Sequence, residues 1–409
     1  MPLVVRLAWR NLWRQPRRTW LTVGAMVFSN VLLVFMMSLQ FGTYGLMIDN
    51  TLQMFTGHLQ VQAPGFKDEQ KMRLVVEDVV ATADRLRLEL QSDTIAARAT
   101  TFALVSSEAR SFGIAIYGVE PAYEPRVSNI PGLLQEGRYL ADNNATDIVI
   151  GETLAKNLKV GLGDELTLLG SGRDGSFAAA VVTVVGVFRS GVKDIDRNIA
   201  EIPLGLFDDV FFMQGAGHQV VIVAPAIEQV PALQMQVQAL LEDRPGVVVH
   251  DWDVLQPGLK QAIQADLSSA FFMYALLVIL VAFSVLNTQL MSVLERTREF
   301  GITMSLGLKP GRLGRLVILE TAIMGLLGLA IGASLGFVVV SWLSVSGFAY
   351  PGMDEMAAQF NLPSRLYPQP SWLTSFAGPL VVFIFSLLSA LYPALRLHWL
   401  HPVAAMRAA

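Results

Sequence analysis

The sequence predicts an α-helical membrane protein with four transmembrane helices and a large outer domain of mixed α and β structure between the first and second helices. Of the 409 residues, 53% are hydrophobic and only 16% are charged, whereas soluble domains carry about 25% charged residues. Four long windows contain no Asp, Glu, Lys or Arg. The charged residues between them are unevenly distributed. This composition excludes an ordinary soluble enzyme and a disordered chain.

Each charge-free window is long enough to cross a bilayer, which needs about 20 apolar residues. We divide the chain into an interfacial elbow helix at 1–18, a first span with its stalk at 19–48, an outer domain at 49–266, a second span at 267–294, a charged loop at 295–315, a third span at 316–349, an outer loop at 350–370, a fourth span at 371–395 and a tail at 396–409. Such long windows fit either tilted helices or helices that continue out of the membrane as a stalk. The first window is too long for a signal peptide and lacks a cleavage site, so we expect a retained anchor.

The distribution of charge predicts the orientation. Residues 1–18 carry five Arg and no acid, and the loop 295–315 carries five basic and two acidic residues. By contrast, residues 49–266 hold 17 basic and 29 acidic residues. Because cytoplasmic loops are enriched in Lys and Arg, we expect both termini and the loop 295–315 in the cytoplasm. The large domain is then outside.

The first residues have the pattern of a helix that lies in the membrane interface. An apolar face with two tryptophans runs beside a stripe of arginines, with Val5, Trp9, Leu12 and Trp13 on the first and Arg6, Arg10, Arg14 and Arg17 on the second. Tryptophan and arginine on adjoining faces are typical of interfacial helices. The alternative is a simple orientation signal.

Residues 49–266 have the pattern of mixed α and β structure. Val181–Phe188 is rich in β-branched residues and predicts a strand, with a second strand at Leu166–Leu169 and a glycine-rich turn at 170–175 between them. Helical spacing of apolar residues predicts helices at 152–158 and 229–241.

No catalytic or nucleotide-binding motif is evident. Residues 49–266 contain no Gly-x-Ser-x-Gly and no His-Glu-x-x-His, and the whole sequence has no Gly-Lys dipeptide and no cysteine, which excludes a Walker A loop and thiolate chemistry. His398 and His401 are the only closely spaced histidines, and we interpret Asp194 and Asp196 as surface acids. We therefore expect neither an enzyme nor a metal site, and the net charge of −4 does not indicate a nucleic-acid partner. Any ATP must be bound by another chain.

The loop after the second span is the most informative stretch. Glu295, Arg296, Arg298 and Glu299 leave the span together, and Glu295 with Arg298 or Glu299 with Arg296 are expected to pair locally. Gly301 and Gly307 are expected to interrupt the segment before the chain re-enters the bilayer. A short charged helix between two spans suits docking of a soluble partner. The alternative is a solvated loop.

Motifs across the chain resemble one family. Glu295-Arg-Thr-Arg-Glu-x-Gly-Ile, followed by Leu306-Gly and Glu320, closely resembles the cytoplasmic loop of FtsX-like ABC permeases, which include MacB and the lipoprotein-releasing (Lol) permeases. Three further segments resemble the same family in the same order: Ala8-Trp-Arg-Asn-Leu, Asp147-Ile-Val-Ile-Gly-Glu, and Tyr392-Pro-Ala-Leu-Arg with Pro402-Val-x-Ala-Met-Arg.

The resemblance implies a fold and a mechanism. Such permeases have four spans, and their first two helices extend into a periplasmic domain with two lobes. They dimerise, and each binds a cytoplasmic ATPase subunit through the loop after the second span. The resemblance implies a mechanotransmission-type transporter, in which ATP-driven closure is relayed mechanically to the periplasm and cargo does not pass through a membrane channel. The coupling residues carried over to this chain are Glu295, Arg296, Arg298, Glu299, Gly301, Gly307 and Arg312. ATP and magnesium are expected on the ATPase, with no cofactor on this chain. Reversing Arg296 and Arg298 to Glu is expected to uncouple the ATPase without unfolding the permease.

Two segments resemble the Lol-type branch in particular. They are Gly57-His-Leu-Gln-Val-Gln-Ala-Pro-Gly-Phe and Val187-Phe-Arg-Ser-Gly-Val-Lys-Asp-Ile-Asp. This resemblance implies that the cargo is a lipoprotein. The residues expected to hold it where the helices leave the bilayer are Met36, Met37, Phe41, Tyr44, Phe271 and Phe272. The alternative for these side chains is packing or lipid contact.

Small and amide residues within the spans predict helix packing. Asn30 and Asn287 are expected to form hydrogen bonds between helices, either within the bundle or across a dimer. The third span repeats Gly325, Gly328, Gly332 and Gly336 at a spacing of three or four residues, which suits close approach of another helix.

Three functions therefore remain open. The leading hypothesis is the permease subunit of a lipoprotein-releasing ABC transporter in the bacterial inner membrane, paired with a second permease chain, identical or sister. The second is transmembrane signalling to a periplasmic enzyme. The third is MacB-like export of a small molecule or peptide. A periplasmic carrier or adaptor is a further expected partner, beside the membrane lipid itself.

Overall fold

The computed structural model describes residues 3–353 and 365–399. The helices are α1 (Leu3–Leu12), α2 (Pro16–Thr51), α3 (Phe66–Glu69), α4 (Val79–Leu90), α5 (Glu124–Val127), α6 (Glu152–Leu158), α7 (Lys193–Asn198), α8 (Leu204–Phe211), α9 (Val230–Leu240), α10 (Trp252–Leu255), α11 (Pro257–Glu295), α12 (Thr297–Ser305), α13 (Pro310–Ser346) and α14 (Trp372–Arg396). The strands are β1 (Leu59–Gln62), β2 (Ile95–Ser106), β3 (Ser111–Val119), β4 (Leu134–Gly137), β5 (Asp147–Gly151), β6 (Glu165–Ser171), β7 (Phe177–Phe188), β8 (Ile199–Pro203), β9 (Gln219–Ile222) and β10 (Val248–Asp251).

The chain divides into two compact units. The membrane unit comprises residues 1–44, 263–350 and 365–409, and the outer domain comprises residues 45–262 and 351–364. Residues 354–364 of the expected outer loop lie outside the described residues, as do His401 and the family-like motif that begins at Pro402.

Four helices among the described residues are long and apolar enough to cross a membrane, as the charge-free windows predict. They cover Pro16–Thr56, Pro257–Glu295, Pro310–Ser346 and Trp372–Trp399. Three of them begin with proline, which has no amide hydrogen to lose in a first helical turn. The second begins at Pro257, so residues 257–266, which the sequence analysis assigned to the outer domain, are helical. The fourth is capped by Ser371, whose hydroxyl accepts from the Thr374 amide at 3.1 Å.

Three glycines of α13, Gly328, Gly332 and Gly336, face α2. A methyl group added at Gly328 would lie 2.8 Å from Met26 Cβ, and one at Gly332 would lie 2.6 Å from Asn30 Cβ. Asn30 Nδ2 donates to Gly328 O at 3.0 Å. The amide and the glycines thus join the same pair of helices, in agreement with the packing expected for Asn30, Gly328 and Gly332.

Asn287 does not join this packing. Its side chain is exposed on α11 and makes no hydrogen bond to the described residues. Asn287 therefore makes no helix-packing contact within the described chain, and its expected contact across a dimer stays a prediction. Its position on the helix turns the side chain away from the bundle.

The elbow helix α1 packs through small and aliphatic side chains. Ala8 and Leu12 are buried, and Leu12 joins Val23 and Met324 in a small apolar cluster. Trp9 and Trp13 remain about half exposed, with their ring centroids 5.9 Å apart. The tryptophans of the predicted apolar face thus remain available to the membrane interface, where this side chain is enriched.

The strands of the outer domain form one hydrogen-bonded sheet in the described part of the chain. The strand order is β10-β1-β9-β2-β3-β8-β5-β7-β4, and β6 pairs with both β2 and β7. The two lobes implied by the family resemblance are therefore not separate sheets. The elements predicted at 152–158, 166–169, 181–188 and 229–241 agree with α6, β6, β7 and α9.

Candidate functional site

The loop between the second and third spans folds as a short helix with a break on each side. At Arg296 the backbone departs from helical values, with φ of −98° and ψ of 12°. Beyond α12 the chain turns at Gly307, where φ is +93°, a conformation that strains any residue with a Cβ. Gly301 does not interrupt the segment as expected, because it is buried inside α12.

One face of α12 is held by an apolar cluster. Phe300 and Met304 are buried. They pack in a cluster completed by Val293, Leu313, Val317 and Leu397. Because these partners come from α11, α13 and the turn after α14, the helix is fixed to three elements of the membrane unit.

Arg296 fastens the start of this helix from the inside. Its Nη1 lies 3.1 Å from Glu320 Oε1 on α13, and Asn11 Nδ2 donates to the same oxygen at 2.8 Å. The guanidinium also lies 4.9 Å from the centre of the Phe300 ring. The side chains of Arg296 and Glu320 are 18% and 6% exposed. Arg296 is therefore an internal support of the loop, and its role in coupling stays a prediction.

The two glutamates of the loop pair with the amino-terminal segment. Arg18 Nη1 lies 2.9 Å from Glu295 Oε2, and Arg14 Nη2 lies 3.3 Å from Glu299 Oε1. The local pair expected between Glu295 and Arg298 is absent from the described contacts. The other expected pair is present, with Arg296 Nε 3.5 Å from Glu299 Oε2. Sequence spacing misses the long-range partners because the elbow is far away along the chain.

The opposite face of α12 and the turn after it are exposed. We call this surface the docking face; it comprises Arg298, Ile302, Leu306, Leu308, Lys309 and Arg312. Leu306 is 82% exposed and Ile302 is 49% exposed. Arg298, Lys309 and Arg312 make no ion pair among the described residues. The face therefore presents an apolar centre surrounded by free cations.

Two of the residues expected to hold cargo line an apolar cavity in the membrane unit. Met37 and Phe271 are joined there by Leu33, Tyr274 and Val278, with a cavity volume of about 320 Å³. Phe41 and Phe272 lie outside this cavity and are 38% and 76% exposed.

Tyr44 and Met36 line a second cavity, which has a polar wall. Tyr44 is buried, and its hydroxyl donates to Asp266 Oδ2. Gln40 Nε2 donates to the Tyr44 hydroxyl at 2.7 Å, and Tyr274 donates to Gln40 Oε1 at 2.6 Å. This network is not predicted by any pattern described above for the sequence. The sequence offered two signals for this network. One is an acidic residue at the edge of a charge-free window, and the other is a glutamine inside another such window.

The outer domain contains a buried charge cluster that sequence analysis also missed. Arg98 and Glu124 are fully buried and form a two-pronged ion pair, with Nε 3.0 Å from Oε2 and Nη2 2.5 Å from Oε1. Tyr139 donates to Glu201 Oε2 at 2.7 Å. Burial, helped by the nearby Glu124 carboxylate, raises the pKa of Glu201 to about 8. The residues of this charge cluster are too far apart in the chain to form a motif of regular spacing.

Within residues 3–353 and 365–399, no group of three His, Asp or Glu side chains is placed to hold a metal ion. Asp196, interpreted from sequence as a surface acid, is buried instead. Its carboxylate accepts from the Ser190 amide at 2.7 Å and from the Ser190 hydroxyl at 2.6 Å. It thus holds a turn together.

The four long apolar helices and the α+β domain inserted between the first two define a multi-pass membrane protein. The family of the MacB-like periplasmic core domain matches residues 19–240, and that of the FtsX-like permease C-terminal matches residues 271–402. The chain therefore belongs to the FtsX/MacB family of ABC transporter permeases. This is a family of non-catalytic transmembrane subunits, and membership implies a partner ATPase.

Several curated relatives are similar over most of the chain. The lipoprotein-releasing system transmembrane protein LolC of Neisseria meningitidis is 23% identical over 75% of this chain and 75% of its own. The lipoprotein-releasing system transmembrane protein LolE of Haemophilus influenzae is 25% identical over 73% and 74%. The macrolide export ATP-binding/permease protein MacB of Rhodospirillum rubrum is 26% identical over 99% of this chain and 60% of its own.

Among solved structures, the periplasmic region of MacB from Actinobacillus actinomycetemcomitans is similar to this chain. It is 15% identical, with a TM-score of 0.36, and covers 51% of this chain and 94% of that one.

Proposed function

We propose that the docking face binds the ATPase subunit, and that ATP hydrolysis there drives release of lipoproteins or a similar hydrophobic cargo from the outer leaflet of the bacterial inner membrane. The observation that carries the proposal is the construction of α12. One face of α12 packs in an apolar cluster of the membrane unit, and the exposed surface on the opposite side has an apolar centre.

A docking element that transmits force must be held rigidly by the protein that carries it. Phe300 and Met304 anchor α12 in an apolar cluster, and the Arg296–Glu320 pair fixes its first turn. Leu306 then projects from a supported backbone. A partner suited to this face has an apolar groove with an acidic rim, because three cations surround the apolar centre.

Lipoprotein cargo is supported by the relatives and by energetics. Proteins named for lipoprotein release align over about three quarters of this chain. Moving an acyl chain out of lipid costs about 0.8 kcal/mol per CH₂, which is a reason to couple the step to ATP. The apolar cavity beside Met37 and Phe271 supplies hydrocarbon contacts for such a chain.

The remaining assignments follow from the same proposal. The basic loop and amino-terminal segment lie in the cytoplasm with the ATPase, and the outer domain lies in the periplasm. A second permease chain completes the transporter, and a periplasmic carrier accepts the cargo.

Export of a small molecule or peptide is the second candidate. It is favoured by one observation, since the MacB protein of Rhodospirillum rubrum aligns over 99% of this chain.

A pull-down with a matched pair of variants tests the proposal. The tagged chain is purified in mild detergent from its own cells, and the retained proteins are identified by mass spectrometry. The variant Leu306→Asp is compared with Leu88→Asp, which alters a leucine of similar exposure, 77% against 82%, on the outer domain. We expect a Walker-motif ATPase and acylated lipoproteins with the wild type and with Leu88→Asp. Leu306→Asp is expected to lose the ATPase.

Each contrary outcome overturns a different part. An ATPase retained equally by Leu306→Asp removes the docking role of this face. An ATPase that co-purifies with a periplasmic adaptor and no lipoprotein favours the export candidate, and one that co-purifies with a cell-wall hydrolase favours signalling.

A further inference from the structure

The turn that continues α2 at its carboxyl-terminal end is bound at its last four carbonyls by other residues of the outer domain. Beyond Thr51 the helix continues as a π-helical turn, Leu52–Thr56, and stops at Gly57. The last carbonyls of a helix have no partner within it. Here they accept from outer-domain groups: Gln53 O from the Asn129 amide at 2.8 Å, Met54 O from Ser128 Oγ at 3.0 Å, Phe55 O from Arg98 Nη1, and Thr56 O from Gln60 Nε2 at 2.6 Å.

Arg98 is the centre of this arrangement. Two of its nitrogens bind Glu124, and the third binds Phe55 O. The guanidinium also lies 4.3 Å from the centre of the Phe55 ring. Because a guanidinium is planar and its donors are fixed, these bonds hold the helix end at one orientation.

The chain directly after the π-helical turn is closely packed and hydrogen-bonded to the sheet. Gly57 has φ of +70°, and a Cβ there would lie 2.4 Å from Val221 Cγ1 on β9. The His58 amide already donates to Ile222 O at 2.9 Å. The chain then runs as β1 between β9 and β10. The chain therefore passes directly from the π-helical turn into a strand in the interior of the sheet.

We call the contacts around the π-helical turn the joint. They extend to the start of the second long helix. Strands β1 and β10 pair antiparallel, with Leu59 opposite Asp251. Gln256, immediately before α11, donates from Nε2 to Thr56 Oγ1 at 3.0 Å. The segment that leads out of the domain is thus hydrogen-bonded to the one that leads in.

We propose that Arg98 is a positioning residue for force transmission. It locks the end of α2 to the outer domain, so that a displacement of the helix is transmitted in full to the domain. This rests on the proposed function, in which ATP hydrolysis on the cytoplasmic side does work in the periplasm. π-Helical turns occur frequently at functional sites, and this one carries the carbonyl that Arg98 binds.

Arg87 provides a matched control in the same domain. It is also buried, and it also binds carboxylates and one carbonyl, donating to Ile95 O at 2.9 Å and pairing with Asp84 and Glu120. None of its partners belongs to the end of α2. Arg98→Lys and Arg87→Lys therefore remove the same chemistry, one at the joint and one away from it.

The experiment measures the distance between two spin labels in the full-length permease in lipid nanodiscs with its ATPase. One label replaces Phe28, exposed on α2, and the other replaces Phe102, exposed on β2. In the wild type and Arg87→Lys we expect one narrow distribution that shifts when ATP is added. In Arg98→Lys we expect a broadened distribution without nucleotide and a reduced shift with ATP, although ATP hydrolysis continues.

Equal distributions in the two lysine variants, at equal unfolding temperatures, would show that Arg98 only caps the helix and overturn the proposal. A wild type that does not respond to ATP would count against the proposed function, whereas the width measured without nucleotide still tests the joint. If Arg98→Lys does not fold, Ser128→Ala removes the bond to Met54 O. Its control is Ser190→Ala, which removes a buried hydroxyl bound to Asp196 in the same domain. Broadening is then expected for Ser128→Ala alone.

Discussion

Arg296 Nη1 lies 3.1 Å from Glu320 Oε1 and joins the break after α11 to the amino-terminal half of α13. Arg298, two positions later, is exposed and makes no ion pair among the described residues. Two arginines of one motif therefore have different roles. Arg296 supports the loop, and Arg298 belongs to the docking face.

The charge reversals Arg296→Glu and Arg298→Glu are expected to have different effects on stability and on ATPase binding. Arg296→Glu would place a carboxylate beside the buried Glu320 and remove its partner, a change that costs about 3–5 kcal/mol for a buried pair. Thermal unfolding followed by tryptophan fluorescence in detergent measures this loss. Arg298→Glu is expected to leave the unfolding temperature unchanged and to weaken ATPase binding. The expectation from sequence that both reversals together spare the fold is therefore withdrawn for Arg296. Equal stability of the two variants would contradict the structural role.

Gly332 is expected to tolerate no side chain. Gly332→Ala would place a methyl group 2.6 Å from Asn30 Cβ and 3.2 Å from Val27 O, and overpacking of this kind costs about 1–3 kcal/mol. Gly24→Ala is the control, because nothing lies within 4 Å of a Cβ at that helical glycine. Removing a glycine from a helix is expected to stabilise Gly24→Ala by about 1 kcal/mol. Denaturant unfolding of both variants, reconstituted alike, makes the comparison.

The stability of the outer domain is expected to depend on Glu201. Its pKa is raised from an ordinary 4.5 to about 8 by burial and by the neighbouring Glu124. The folded state therefore holds a proton that the unfolded chain releases. This contribution is full below pH 4.5 and is lost as the pH rises to about 8.

Glu201→Gln is the test of that dependence. The amide keeps an oxygen for the Tyr139 hydroxyl and cannot ionise, so the variant is expected to gain stability relative to the wild type as the pH rises from 4.5 to 8. Unfolding temperatures across this range, with the exposed Glu228→Gln as control, measure the difference. A constant difference at all pH values would rule out titration of Glu201 as its source.

Filling the apolar cavity is expected to reduce cargo binding. Met37→Trp would occupy part of the cavity of about 320 Å³ beside Phe271. Phe28→Trp enlarges a side chain that is 70% exposed on the same helix. We expect Met37→Trp to retain fewer lipoproteins in the pull-down while both variants keep the ATPase. Unchanged lipoprotein recovery would place the cargo elsewhere.

The sequence by itself determined the four spans, their approximate bounds and the position of the inserted domain. Absence of charge over a long window is a property of consecutive residues, and the hydrocarbon core excludes charge wherever the helix packs. Local strand and helix patterns, such as Val181–Phe188, were readable for the same reason. The family motifs were also contiguous in the chain.

Only the tertiary structure decided which side chain faces which partner. Arg296 and Arg298 look alike in sequence, yet Arg296 lies at the break before α12 and binds Glu320, whereas Arg298 lies on the exposed face of α12. Asn30 donates a hydrogen bond to Gly328, whereas Asn287 faces outward. Arg98 binds Glu124 and Phe55, which lie in distant parts of the chain. Such pairs depend on how separate elements pack together, and no local pattern records that arrangement.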